Sequence, residues 1–392
     1  MIFKEYGVIN KNDIPQKAFD DLKNFASYEE NYRYLDVVHG GNALRLKNYV
    51  GTIVTKDGTI IEILPKIYAS EDDVAKKTLL KMLKTLKKSP FKNINKASLQ
   101  VSNITIFEIF ISMFLEELNT LVKKGIKADY IGSVDNLYFL KGKMKLNEQI
   151  RHNLLHKEKF FVEFDEYTKN RVENKLIKTT LEKLYKLSTI STNQQRLREF
   201  IFIFDDVDTS HNIKNDFKKC KNDRSMQYYQ EILRWCSIFL NNDSFSPYRG
   251  DDVAYALLFD MNILFESYVA HFFKKNYQDR DVKTQDKQHK LVESHSLFQL
   301  KPDIVIDDNI ILDTKWKLIN QENKTYDVSQ ADLYQMYVYG KKYNANDIYL
   351  IYPKSEDFQS SLDVTLAYDK SLNIHILCFD CVKNYLDFKG DF

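Results

Sequence analysis

The 392-residue sequence is poor in glycine, proline, cysteine and tryptophan, with 11, 6, 4 and 2 of each. The glycine content falls far below the usual proportion of about 7%. A chain built on repeated glycine-rich phosphate loops is therefore excluded. Neither GxxxxGK[ST] nor a GxGxxG following a strand occurs, so a P-loop motor and a dinucleotide-binding oxidoreductase of the usual kind are set aside. An excess of one charge is also missing. Lys and Arg number 57 against 55 Asp and Glu, a net charge of +2. That gives no global electrostatic footprint for nucleic acid, although local patches could still bind it. The longest apolar run, Ile104 to Leu115, is broken by Glu108 and is too short to span a bilayer. The opening MIFKEYGVINK has no signal-peptide apolar core, so the expectation is a soluble, cytoplasmic protein without a membrane partner.

Cysteine is sparse in a way that carries information. Of Cys220, Cys236, Cys378 and Cys381, only the last two form a CxxC, and it sits in the apolar run IHILCFDCV. A structural zinc site needs a second pair nearby, and none exists. Reduced thiols in a core, in a reducing compartment, are the expectation. His152 and His156 lie at i, i+4, but a zincin helix needs Glu at 153, where Asn153 stands.

What is present is an ordinary globular balance, 44% hydrophobic and 29% charged, in a length that suggests two or three domains. Residues 1–100 read as a β-rich N-terminal domain. Two β-branched runs between Leu44 and Ile67 flank Lys56-Asp57-Gly58, a strong hairpin signal, here expected to protrude. Helical spacing follows over 72–95 and 104–124. The Lys-rich stretch 76–96 reads either as the solvated face of an amphipathic helix or as a local basic patch. Residues 101–245 read as a mainly helical middle region, with helices over 170–187, 190–204 and 224–240. Turn formers gather at Asn241 to Gly250, where the main boundary is placed. Residues 246–392 read as a helix over 252–276, strands and turns over 281–317, a helix over 329–343 and strands over 347–352 and 373–379. The fold class is thus α+β and multi-domain, closing in a mixed sheet flanked by helices.

The stretch from Leu300 to Lys315 carries the chemistry. Two β-branched runs flank Asp307-Asp308-Asn309, a hairpin signal. If the turn centres on Asp308, Asp303 and Asp313 face each other across adjacent strands, roughly 5 Å apart at Cβ. Lys315, two residues on, then points to the same face. Two carboxylates can hold Mg²⁺, which keeps waters and takes phosphate oxygens for its remaining positions. Without a cation, adjacent carboxylates repel, an expensive arrangement for scaffolding. A surface hairpin with scattered charges is the competing reading. Glu266, in a helix with apolar neighbours, and Gln335, in the helix after the hairpin, are further candidates. Either could also be a buried structural residue.

The PD-x9-DxK pattern, preceded by a Glu-bearing helix and followed by a helix carrying Gln, resembles the PD-(D/E)XK nuclease core. The resemblance implies that Asp303, Asp313 and the Thr314 backbone carbonyl hold Mg²⁺, with Mn²⁺ as a substitute. It also implies that Glu266 joins the metal site, and that Lys315 assists the attacking water with Gln335 beside it. Ordered blocks across the chain narrow the match. YVGTIVTKDGTIIEILPKI, LKGKMKLNEQIRHNLL, FDEYTKNRVENKLIKTTLEKL, LFESYV, DLYQMYVYGKKY and YLIYP are similar to McrC-type restriction subunits. That family implies a DNA endonuclease subunit acting on double-stranded, modified DNA beside a McrB-like AAA+ GTPase hexamer, whose hydrolysis the N-terminal region stimulates. Two other readings compete: an autonomous PD-(D/E)XK nuclease in repair, and a non-catalytic adaptor that activates an AAA+ GTPase.

Overall fold

The computed structural model describes residues 1–67, 71–86, 90–93, 104–221, 223–240, 253–292, 297–362, 366–369 and 372–388. The turn-rich segment 241–250 and part of the Lys-rich stretch lie outside these. The chain divides into two compact units: Met1–Ile106 with Phe245–Phe392, and Phe107–Ser244. It is a mixed α/β, multi-domain architecture. Among the described residues no helix is long and apolar enough to cross a membrane.

The first unit holds a four-stranded sheet in the order Ile2–Lys4, Ile60–Leu64, Tyr49–Thr55, Val253–Asp260. The last strand changes two readings. Residues expected to open a long helix are a strand, and the helix begins only at Met261. The run VAYALLF is apolar on both faces, so its periodicity cannot separate strand from buried helix. The strand also joins the N-terminal and C-terminal segments, which the sequence reading separates at 100 and 246. Residues 253–260 pair antiparallel with residues 49–55, setting Leu258 opposite Gly51. Gly51 has φ +137°, and a Cβ there would lie 2.0 Å from the Leu257 carbonyl oxygen. Only glycine lets the two backbones approach so closely. Asp260 then caps the helix Met261–Asn276, accepting from Asn262 N at 2.8 Å, and Asn48 Nδ2 reaches Asp260 at 3.2 Å.

The Lys56-Asp57-Gly58 turn is short and closed, not the protruding hairpin expected. Asp57 accepts from Thr55 Oγ1 and Thr59 N, and the Lys56 amide donates to Asp21. Lys76, in the stretch read as a solvated face, is buried and paired with Glu62 at 3.1 Å.

The same unit carries a seven-stranded mixed sheet. Its path runs Val282–Thr284, Ile304–Ile306, Ile310–Thr314, Asp347–Pro353, Leu372–Asp380, Leu366–Asp369, and Tyr385–Asp387 also pairs with Leu372–Asp380. Its central strands are parallel and bury both faces, as their near-continuous Ile, Leu, Tyr and Phe content requires. The crossover helix Gln330–Tyr343 places Met336, Tyr339 and Tyr343 in the core with Ile348, Leu350 and Ile376. Cys378 and Cys381 are buried free thiols.

The second unit is helical around Phe110, Phe114, Trp235 and Phe239, with helices that include Val172–Leu187, Ser191–Ile203 and Gln230–Leu240. It also contains an antiparallel sheet that the sequence reading lacks. Asp129–Leu137 pairs with Phe160–Thr168 over nine residues, with Lys143–Met144 on the other side. DYIGSVDNL alternates, but none of it is fully buried, so the apolar signal of a strand is faint.

Candidate active site

The hairpin of residues 304–314 sets the geometry. Ile304 pairs with Leu312 and Ile306 with Ile310, so the next step along the same register puts Asp303 opposite Asp313. Asp307 and Asp308 both take positive φ, 49° and 65°, which closes the turn. Asp is among the residues that tolerate that region.

Asp303 and Asp313 are held differently. Asp303 is half-buried, and its Oδ2 accepts from the Thr314 amide at 2.8 Å and the Thr314 hydroxyl at 2.7 Å. Asp313 is 2% exposed. Lys315 Nζ lies 2.7 Å from its Oδ2, yet that oxygen has no hydrogen bond of acceptable direction. The ammonium compensates its charge. Burial is the main cause that raises the Asp303 carboxyl, with the Glu266 charge next, against the Thr314 donors. Burial likewise raises Asp313, with Asp303 adding to it and Lys315 opposing. The two carboxyls thus act on each other as a like-charge pair.

Lys315 gathers the rest. Its Nζ lies 3.6 Å from Asp332 Oδ1 and donates to Gln335 Oε1 at 3.2 Å. Burial works to lower its pKa, but Asp313, Asp332 and Asp303 together outweigh that and leave it raised. Gln335 in turn donates to the Tyr339 hydroxyl at 2.8 Å. Its backbone is anchored as well, the Lys315 amide donating to the Ile351 carbonyl at 3.0 Å.

Glu266 stands differently from its expectation. It is half-buried, Ile263 one turn before it is 53% exposed, and Phe259 belongs to the preceding strand, so the apolar stripe around it is incomplete. Gln285 Nε2 donates to Glu266 Oε1 and lies 3.5 Å from Asp303 Oδ1. Among the described residues no three His, Cys, Asp or Glu side chains gather closely enough to hold a metal. Gln285 links Glu266 to Asp303.

The sequence reading missed Gln285 and Asp332. Asp332 could have been found, because it precedes Gln335 by three residues and so shares its helix face. Gln285 gave no such signal. It lies in an aperiodic segment at φ +53°, and its amide donates to the Asp303 carbonyl at 2.9 Å.

Trp316, directly after Lys315, is tied to the N-terminal strand. Its Nε1 donates to both Glu5 oxygens at 2.8 and 3.0 Å, and its ring packs edge-on against Phe265 at 5.2 Å. Glu5 is buried, and burial raises its carboxyl to about 7 against donors from Lys66 and Trp316.

Comparison with known proteins was made on this footing. A family model described as McrBC 5-methylcytosine restriction system component matches residues 44–353. The chain is similar in fold to one in a refined half-complex from a tetradecameric assembly of Thermococcus gammatolerans McrB AAA+ hexamers with bound McrC. The TM-score is 0.71 at 21% identity, covering 99% of this chain and 96% of that one. A cryo-EM structure of the Thermococcus gammatolerans McrBC complex matches at TM-score 0.49 and 19% identity, over 74% and 89% of the respective chains. Among curated proteins nothing matches.

Proposed function

The chain belongs to the family of McrBC 5-methylcytosine restriction-system components, and from that premise we propose that it is the Mg²⁺-dependent endonuclease subunit of a two-component restriction system. It cleaves phosphodiester bonds of modified double-stranded DNA and works with a GTP-hydrolysing AAA+ hexamer. The observation that supports the catalytic half is the pairing of Asp303 with Asp313 beside Lys315, with a buried Asp313 oxygen that lacks a directed donor.

That donor set fits Mg²⁺. Hard carboxylate oxygens, one of them short of a hydrogen bond, suit an ion that needs only one or two carboxylates. Asp303, Asp313 and the Thr314 carbonyl would hold it, with Mn²⁺ able to substitute. When bound, the ion supplies an acidified water and neutralises charge on the scissile phosphate. The protein's own groups do the rest. Lys315, fixed among Asp313, Asp332 and Gln335, presents a positive charge to the developing pentavalent phosphate. Gln335 orients that ammonium. Glu266 acts through Gln285 to keep Asp303 in place.

The partner surface is assigned to the second unit rather than to the closed Lys56 turn. Tyr138, Phe139 and Leu140, between two strands of its sheet, are 68%, 59% and 59% exposed, and Leu146, Ile150 and Leu155 on the following helix and turn are 67%, 65% and 89% exposed. Large apolar side chains exposed this densely along one stretch of chain suit a protein interface.

The test uses the full chain with its AAA+ partner and modified duplex DNA. Cleavage is expected to require Mg²⁺ or Mn²⁺ and to stop with EDTA. Asp303→Ala is expected to cut nothing while keeping the wild-type melting temperature, and Lys315→Ala to cut nothing with a lowered one, since it strips buried Asp313 of its counter-charge. Full cleavage by either variant would remove the assignment. Paired changes Phe139→Asp and Leu155→Asp should abolish stimulation of GTP hydrolysis, and Lys56→Ala should not.

A further inference from the structure

Beside the carboxylate centre lies an open groove of about 360 Å³ that the catalytic reading does not use. Gln299, Leu300, Lys301, Tyr334, Gln335, Val338 and Tyr339 line it. Its floor is firm, with Leu300 and Tyr339 only 8% and 5% exposed. Tyr334 stands at the rim, 57% exposed, its hydroxyl held by the Gln330 amide one turn earlier. Lys301 is exposed, and among the described residues no acid pairs with its ammonium. Gln335 belongs to both places, accepting from Lys315 and donating to Tyr339. The groove therefore begins one side chain away from Lys315.

Three properties point to one occupant. A strand whose phosphate sits at Asp303 and Asp313 runs on from there, and the groove opens one side chain beyond Lys315. An exposed, braced aromatic ring offers a stacking face to any base. A free ammonium beside it suits the next phosphate. We propose that the groove receives the nucleotide flanking the scissile phosphate, its base turned out of the duplex stack onto Tyr334 and its outer phosphate paired with Lys301. This rests on the nuclease reading and deepens it.

The experiment separates the two. The full chain, alone and with its AAA+ partner, is titrated in EDTA with duplexes carrying 2-aminopurine at successive positions. A change in emission is expected at one position and not at the others. Tyr334→Ala should abolish that change and weaken binding about tenfold, and Tyr334→Phe, which keeps the ring, should restore both to within about twofold. Lys301→Ala should lower the slope of log affinity against log salt by about 0.9. If Tyr334→Ala binds like the wild type and gives the same change in emission, the groove is not this site, whatever the cleavage result. If binding behaves as expected but no cation supports cleavage, the groove stands and the catalytic reading falls.

Discussion

Glu108 and Asp313 are both buried carboxylates, 0% and 2% exposed, and the molecule treats them in opposite ways. In the second unit Glu108 accepts from the Ser188 hydroxyl, the Thr189 amide and hydroxyl, the Ile190 amide and Asn193 Nδ2. Those donors lie at the entry to the helix Ser191–Ile203, where a negative charge also meets the favourable end of the dipole. Asp313 in the first unit has an ammonium at 2.7 Å, a like charge opposite and an oxygen without a directed donor. Burial alone does not separate structure from function. What separates them is their partners: uncharged donors fill the Glu108 oxygens, and Asp313 faces an ammonium and a second carboxylate.

The contrast can be broken at four points. The largest effect is expected in activity, where Asp313→Ala should lower cleavage about a thousandfold or more, measured under saturating Mg²⁺, with little change in melting temperature. Cleavage near the wild-type rate would make Asp313 structural, like Glu108. Next, Glu108→Ala should cost about 3–5 kcal/mol in denaturant unfolding of the second unit, because several buried donors lose their acceptor. A loss under about 1 kcal/mol would show that those donors are satisfied without it.

Glu5 falls between the two types, with donors from Trp316 and Lys66 and a carboxyl still raised to about 7. A folded pKa above the unfolded one stabilises the protein below the unfolded value, and that stability is lost as pH rises through the folded pKa. Metal-free protein should therefore lose on the order of 3 kcal/mol between about pH 4.5 and pH 8 through this group, and Glu5→Gln should flatten the decline. A profile unchanged by the substitution would mean that Glu5 is ionised at low cost. The smallest effect concerns Asp313→Asn. With the carboxyl raised, its ionised form opposes folding at neutral pH, so the amide should stabilise metal-free protein by about 1 kcal/mol. A lower melting temperature would show instead that the Lys315 pair is a net stabiliser.

The hairpin chemistry was legible because it is local. Ile304–Ile306 and Ile310–Thr314 are β-branched runs, and three polar residues between them leave one register that faces Asp303 with Asp313. Gln335 was legible for the same reason, on a helix with clear spacing. What the sequence concealed depends on distant partners. Val253–Asp260 reads as helix until its partner, Tyr49–Thr55, is known. Gln285 becomes informative only when an unusual backbone angle turns it between Glu266 and Asp303. The strand Asp129–Leu137 buries too little for alternation to stand out.

The pairing of Tyr49–Thr55 with Val253–Asp260 has a consequence for how the protein is made. Roughly 200 residues separate the strands. On a ribosome adding about 5–20 residues per second, the earlier strand waits about 10–40 s for its neighbour. During that interval its backbone edge, which the native fold covers completely, is open to any other nascent chain in the polysome. Phe107–Ser244 has time to fold as a unit before the first unit can close. Chains stalled near residue 245 should therefore carry a protected insert on an unfinished, protease-sensitive base, and a holdase that shields one short strand should matter more to yield than any change in the codons that follow it.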